Sequence, residues 1–321
     1  MTEYTKTRQI RLDSTKSREE RVFEGVAAWA AFYRANPHRF AKDYLGISLK
    51  PFQQILMVEM DQCNYTAYIA ARGQGKSFLI SLYCCVRCIL YPGTKVCVAA
   101  GRRSQSINIL EYIQNQFMVN SPGLKREIKT ITTAPNNPIC IFENGSTIKV
   151  VTASDTARGN RANIIICDEF RMIPESAINE VLRRFLSDER HPPYIDNPEY
   201  AHVKERNKEI YLTSAWFKDH WSYKKVEDFY AKMVQAGPYF VCGLPYQLSI
   251  KEGLYSAEQA IEEMSEATFN ESQWAREMEC CWTGDVEGSF FNYEAINRTR
   301  RLKFPMLPSY ALPGKLAAKD M

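Results

Sequence analysis

One short run of residues constrains this chain more than any other. Ala70-Ala71-Arg72-Gly73-Gln74-Gly75-Lys76-Ser77 lies between an apolar run, Tyr65–Ala70, and a helical pattern from Ser77 to about Leu90. Small residues let backbone N–H groups wrap around phosphates, a lysine reaches the outer phosphates, and a hydroxyl holds Mg²⁺. The run fits this phosphate-loop pattern, with alanine at position 70 in place of the usual first glycine. Alanine still permits close backbone approach. A loose match of this kind is often accidental when it stands alone. Here a buried strand precedes it and a helix follows it, which is the context that confirms it.

A second motif completes the first. Ile164-Ile165-Ile166-Cys167-Asp168-Glu169 is a buried strand that ends on two acids. Asp168 at the strand end can stand beside Mg²⁺, directly or through water, and Glu169 can polarise an attacking water. The reading is an ATP site in which Gly73, Gln74, Gly75, Lys76 and Ser77 hold the phosphates and Ser77 and Asp168 hold Mg²⁺. The interval between Lys76 and Asp168 holds a complete strand–helix unit plus a hairpin. It suggests a strand inserted between the two motif strands, as in the RecA-like branch of such ATPases.

The rest of the chain supports an α/β fold. Helices are predicted over Val22–Tyr33, Arg39–Leu45 and, with Pro51 in the first turn, Phe52–Met60. Pro92 and Gly93 end the helix that follows the loop. Lys95–Ala100 reads as a strand, Ile107–Met118 as a helix, and Ile139–Phe142 with Thr147–Thr152 as a hairpin around Asn144-Gly145. After the strand Asn163–Cys167 come a helix from about Glu175 to Leu186, a polar loop over His191–Asn207 and a strand, Glu209–Ser214. Strands alternating with helices argue a mainly parallel sheet covered on both faces. Beyond Ser214 the pattern is helical: Trp221–Gln235, Ser256–Ser265 and Glu271–Cys280. The expected division is a polar basic arm (1–21), an ATPase core (22–214), a small helical lid (215–283) and a linker (284–321).

Composition removes several classes. With 45% apolar and 24% charged residues, the 321-residue chain can build a large core. Its net charge of +4 permits a polyanionic partner without demanding one. The longest apolar stretch, Ser77–Tyr91, is interrupted by Arg87, so no membrane span is read. The first residues lack the apolar core of a secretory signal. Cys84, Cys85 and Cys88 share one apolar helical pattern and read as buried thiols, with Cys280 and Cys281 too weak an addition for a zinc site.

Taken together, the motifs resemble the large subunit of the phage terminase, the motor that packages double-stranded DNA into a capsid. The resemblance runs over roughly residues 25 to 300. Leu49-Lys50-Pro51-Phe52-Gln53-Gln54 is similar to the family's adenine-recognition segment, which makes Gln53 the adenine reader. Arg72 matches the arginine these phosphate loops carry, and Ala157-Arg158-Gly159-Asn160-Arg161 resembles the family's arginine–glycine segment. Thr213-Ser214 resembles the coupling motif. The resemblance implies that Arg72 acts within its own site and Arg158 reaches a neighbour's, with Arg161 the rival for that outward role. A planar cation there would stabilise transition-state charge.

By resemblance the chain works on double-stranded DNA as a homo-oligomeric ring, a pentamer, with the portal protein and the small terminase subunit, in the cytoplasm of the infected host cell. Full-length relatives carry an RNase H-type nuclease after this domain. The residues after Ser214 are too few for one, so DNA cutting is not expected from this chain. Arg102-Arg103, Lys125-Arg126 and Arg298 to Lys303 are candidate DNA contacts. A helicase with two RecA cores and a non-hydrolytic nucleotide switch remain as alternatives. The tail speaks against the first and Glu169 against the second.

Overall fold

The computed structural model describes residues 16–101, 103–134, 136–152, 160–198 and 205–284. Ser17 starts the first helix, α1 (Arg18–Ala35), through a capping box in which its side chain accepts from Glu20 N and its own N–H donates to the Glu20 carboxylate. The expected polar arm is corrected at its end, because α1 begins inside it. Residues 1–15 of that arm lie outside the described residues. Two short helices, α2 (Pro37–Asp43) and α3 (Pro51–Gln62), each open on a proline at the first turn, where its missing N–H costs least.

The chain then enters a single eight-stranded sheet. Its strands are β1 (Tyr65–Ala70), β2 (Lys95–Ala100), β3 (Ile128–Thr132), β4 (Ile139–Phe142), β5 (Thr147–Thr152), β6 (Ile164–Asp168), β7 (Lys208–Thr213) and β8 (Tyr239–Leu244). The order across the sheet is β3-β4-β5-β2-β6-β7-β1-β8. From β5 to β8 every pair is parallel, and β3-β4-β5 form an antiparallel edge. The two motif strands, β1 and β6, are separated by one strand, as the spacing suggested. That strand is β7, which comes later in the chain than both.

The fold is the mixed α/β, RecA-like arrangement the motifs called for. One face is covered by α3, α4 (Lys76–Leu90) and α5 (Arg103–Tyr112), with Leu79, Tyr83, Ile109 and Phe142 in its core. The other is covered by the segment after β6 and by α8 (Trp221–Val234), around Phe170, Phe185, Tyr211 and Phe229.

Three departures from the sequence reading have local causes. The helix expected over Ile107–Met118 begins earlier as α5, widens into a π turn at Ile113–Phe117 and ends in α6 (Met118–Asn120), before α7 (Pro122–Glu127). The helix expected from Glu175 to Leu186 is instead a π turn, Ala177–Val181, followed by a 3₁₀ segment, Leu182–Ser187. Finally, the stretch beyond Ser214 is not wholly helical. Tyr239–Leu244 is a half-buried edge strand that adds itself in parallel to β1 after Gly237-Pro238. Only then come α9 (Tyr246–Lys251), α10 (Ala257–Ser265) and α11 (Glu271–Met278), with a small core of their own around Ala260, Trp274 and Met278.

Candidate nucleotide site

The phosphate loop turns at the C-terminal end of β1. Gly73 (φ +77°) and Gly75 (φ +72°) both take the left-handed conformation that side chains resist, and Gly75 is the N-cap of α4. Gln74 between them is buried, and its Nε2 donates to Leu244 O (3.2 Å) and Pro245 O (2.8 Å). Ala71 N donates to Leu244 O at 3.0 Å. The loop is therefore tied to the end of β8, which, like β3, the sequence did not reveal. Gln53 is buried in the first turn of α3, where Oε1 accepts from Lys50 N (3.0 Å). Its Nε2 lies beside Gly75, 3.3 Å from where a Cβ on that glycine would stand. The residue expected to read adenine thus borders the loop.

Lys76 Nζ donates to Ala70 O (2.9 Å) and Ala71 O (3.2 Å) and stands 3.9 Å from Glu169 Oε1. Ser77 follows in the first turn of α4, half-buried. Asp168 closes β6 and is buried, and its Oδ1 accepts from Glu169 N at 3.1 Å. Burial, helped by the charge of Glu169 and opposed by Lys76, pushes the Asp168 carboxyl up to about 6. Glu169 itself is left-handed (φ 46°, ψ 50°), which costs a non-glycine residue about 1 kcal/mol or more. The turn sends its carboxylate towards Lys76, where Oε2 accepts from Thr213 Oγ1 at 3.2 Å. Thr213 ends β7, the strand between the two motifs, and Ser214 beside it is buried. Asp168 at the end of β6 and Ser77 in the first turn of α4 carry hard oxygen donors of the kind Mg²⁺ prefers, so their chemistry fits that ion.

Two residues were missed by sequence reasoning. Arg171 lies two positions past Glu169 and contacts its Oε2 at 3.5 Å. Its guanidinium also donates to Ala215 O (3.0 Å), pairs with Glu277 Oε1 (2.9 Å) and rests on the Trp216 ring (4.2 Å). Glu277, on α11, in turn holds Arg72. Proximity to Glu169 is a usable signal for Arg171. Nothing in the sequence marks Glu277, which is distant along the chain.

The other candidates are placed differently. Arg161 precedes β6 at the strand-entry end of the sheet, away from the phosphate loop, and pairs with Asp188 at 3.4 Å and with Ser187. Arg158 lies outside the described residues, as do Arg102, Arg298 to Lys303 and the side chain of Arg103. Lys125 and Arg126 are exposed at the end of α7. Cys84, Cys85 and Cys88 are buried in α4, and Cys280 directs its thiol to Ile69 O and Leu244 O, both at 3.2 Å. Among the described residues no helix is long and apolar enough to cross a membrane.

Comparison with known proteins adds to this geometry. The ATPase domain of the large terminase of Thermus phage P74-26 shares the fold with a TM-score of 0.56 at 12% identity, over 75% of this chain and 97% of that one. The large terminase of a second thermophilic bacteriophage gives 0.49 at 12% identity, over 74% of this chain and 54% of that one. A search of curated proteins found no match. Residues 67–298 match the family described as terminase large subunit, T4likevirus-type, N-terminal. That match takes in most of β1 and all of β6, β7, β8 and α11, and this chain belongs to the terminase large subunit family through its N-terminal domain.

Proposed function

We propose that this chain hydrolyses ATP and that hydrolysis drives double-stranded DNA into a procapsid. One observation carries the chemistry: the strained Glu169 faces Lys76 at 3.9 Å while Thr213 fixes its other oxygen at 3.2 Å. Lys76, with the backbone N–H groups of Gly73, Gln74, Gly75 and Ser77, binds the outer phosphates. Gln53 reads adenine at the edge of the loop. Glu169 orients the attacking water and takes its proton, in a position where its neighbour Lys76 becomes occupied by phosphate. A bound Mg²⁺, held by Ser77 and Asp168, would supply charge neutralisation of the phosphates. Arg72 serves its own site and Arg158 a neighbour's, so the working form is a homo-oligomeric ring, a pentamer. The ring engages the portal protein and the small terminase subunit in the cytoplasm of the infected host cell. The helical unit α9–α11, bonded to the loop through Glu277, is the part that moves against the sheet.

The test is phosphate release from ATP with Mg²⁺, with and without double-stranded DNA. Lys76→Ala is expected to abolish ATP binding. Glu169→Gln is expected to bind ATP and lose about 10²–10⁴-fold in rate. DNA is expected to stimulate the wild type. Unaltered turnover in Glu169→Gln would remove the assigned base, and tight ATP binding without turnover at any protein concentration would argue for a nucleotide switch.

A further inference from the structure

The strand-entry edge of the sheet, opposite the phosphate loop, carries a cleft of about 670 Å³ that the nucleotide chemistry leaves unused. Asn179 and Asn207 are among the residues that line it. Asn163 and Asn207 stand at the entries to β6 and β7, and each donates its Nδ2 to Asp188 O at 3.2 Å. Asn207 Nδ2 also donates to Leu186 O at 2.8 Å. These bonds fasten the end of the Leu182–Ser187 segment to the sheet edge and set Arg183 and Arg184 beside the starts of β7 and β1.

The arginines of the cleft are not equivalent. Arg183 is neutralised by Glu209 at 3.0 Å, and the second oxygen of that carboxylate accepts from Tyr211 OH at 2.6 Å. Arg184 and Arg206 line the same cleft, are exposed, and form no ion pair with a described residue. The remaining lining carboxylate, Glu189, is exposed. Two guanidinium groups therefore line the cleft with no ion pair to a described carboxylate. Apart from Leu186 and the ring of Tyr65, which is stacked on Tyr239, the walls are polar.

We propose that this cleft binds the phosphodiester backbone of double-stranded DNA, with Arg184 and Arg206 each taking a phosphate. The DNA identity rests on the packaging function proposed above. The guanidinium fork matches phosphate oxygens bidentately, and backbone contacts need charge and donors but no apolar anchor. A protein partner would draw its affinity from buried aromatic or aliphatic anchors, which this cleft hardly offers. The triphosphate of ATP is not the ligand, because β1 separates the cleft from the loop by roughly 17 Å at 3.3 Å per residue. The same two strands, β1 and β7, run from the cleft to the phosphate loop and to Thr213, so DNA held here lies on the elements that carry the nucleotide site.

The experiment is binding of a fluorescent DNA duplex to the full chain across a salt series, for wild type, R184A/R206A and R184K/R206K. Melting curves check that each variant folds. The alanine pair is expected to lose about tenfold or more in affinity and to lower the slope of log K against log salt by roughly 2. The lysine pair is expected to keep most of the slope, and ATP turnover without DNA is expected to be unchanged in both. Equal affinity and slope in wild type and R184A/R206A would overturn the proposal, as would a wild type with no measurable DNA binding. A polyglutamate peptide that displaces DNA at matched charge, in an Arg184- and Arg206-dependent way, would overturn it in favour of an acidic protein partner. Failure of the nucleotide site would show separately, as Lys76→Ala turnover equal to wild type.

Discussion

Arg72, inside the phosphate loop, is bound twice to Glu277 of α11: its Nε lies 3.0 Å from Oε2, and its backbone N–H donates to Glu277 O at 3.2 Å. The other carboxylate oxygen takes Arg171. Burial works to raise the Glu277 carboxyl, but the two arginines outweigh it and hold it below its ordinary value. One side chain of the helical unit thus joins the glycine-rich loop to the turn that carries Glu169.

Glu277→Gln keeps the shape of that junction and removes its charge, so Arg72 loses its counterion and Arg171 keeps only the longer contact to Glu169. Charge-assisted hydrogen bonds of this kind are worth about 1.5–3 kcal/mol each where they are shielded, less on the Arg72 side, which is mostly exposed. A lower melting temperature and slower phosphate release at saturating ATP are expected. Glu262→Gln, on the exposed face of α10, is the control and is expected to change neither. If the two variants behaved alike, Glu277 would have no special place in the site.

Thr213 touches the assigned base directly, through its hydroxyl at 3.2 Å from Glu169 Oε2. Thr213→Val removes that hydrogen bond at nearly constant volume and leaves Glu169 free to leave its strained position. A fall of roughly tenfold in kcat is expected, the equivalent of about 1.4 kcal/mol, with ATP affinity unchanged. Thr213→Ser is expected to restore most of the rate. A matching loss of ATP affinity in the valine variant would show that Thr213 supports binding instead.

The two arginines nearest the site, Arg72 and Arg171, both pair with Glu277, and Arg161 stands at the far end of the sheet. On the reading proposed above, a neighbouring subunit's Arg158 adds to the transition-state charge that Arg72, held by Glu277, supplies within its own site. The rate per subunit is expected to rise with protein concentration. Arg158→Ala and Glu169→Gln, each nearly inactive alone, are expected to recover activity when mixed, because one protomer then lends its arginine to the other's intact base. A rate per subunit that stays constant across a wide concentration range would contradict supply in trans.

The legible part of this fold was the part built from single short segments. The edges of β1, β2, β4 and β5 fall where the apolar runs begin and end, and the loop and acid pair announce themselves because each is contiguous. β8 was hidden because Tyr239–Leu244 is a half-buried edge strand among helical stretches, with Gly243 weakening its pattern. The segment after β6 misled because Ala177–Ser187 has helical spacing but is held by the sheet edge as π and 3₁₀ turns. Glu277 and the Gln74–Leu244 bond are tertiary pairings across long sequence separations, and one sequence carries no sign of them.

At the other end of α4 a buried charge network offers a test of the scaffold itself. Arg87 is almost wholly buried, pairs with Asp61 at 2.6 Å and with Glu205, and lies 3.4 Å from the Tyr91 ring centroid. Arg190 takes the second Glu205 oxygen at 2.6 Å. Burial tends to raise the Glu205 carboxyl, but Arg87 and Arg190 overcome it and hold it below its ordinary 4.5. A carboxyl whose pKa is lower folded than unfolded adds stability above its unfolded value, and that stability is lost as pH falls through the folded one. Glu205→Gln leaves two buried guanidinium groups short of charge, so a cost on the order of 3 kcal/mol is expected in urea unfolding at pH 7. Below the ordinary pKa of 4.5, where the wild-type carboxyl also begins to protonate, the gap between the two proteins is expected to close. A gap that holds constant down to the acid transition would mean that Glu205 contributes by packing and not by charge.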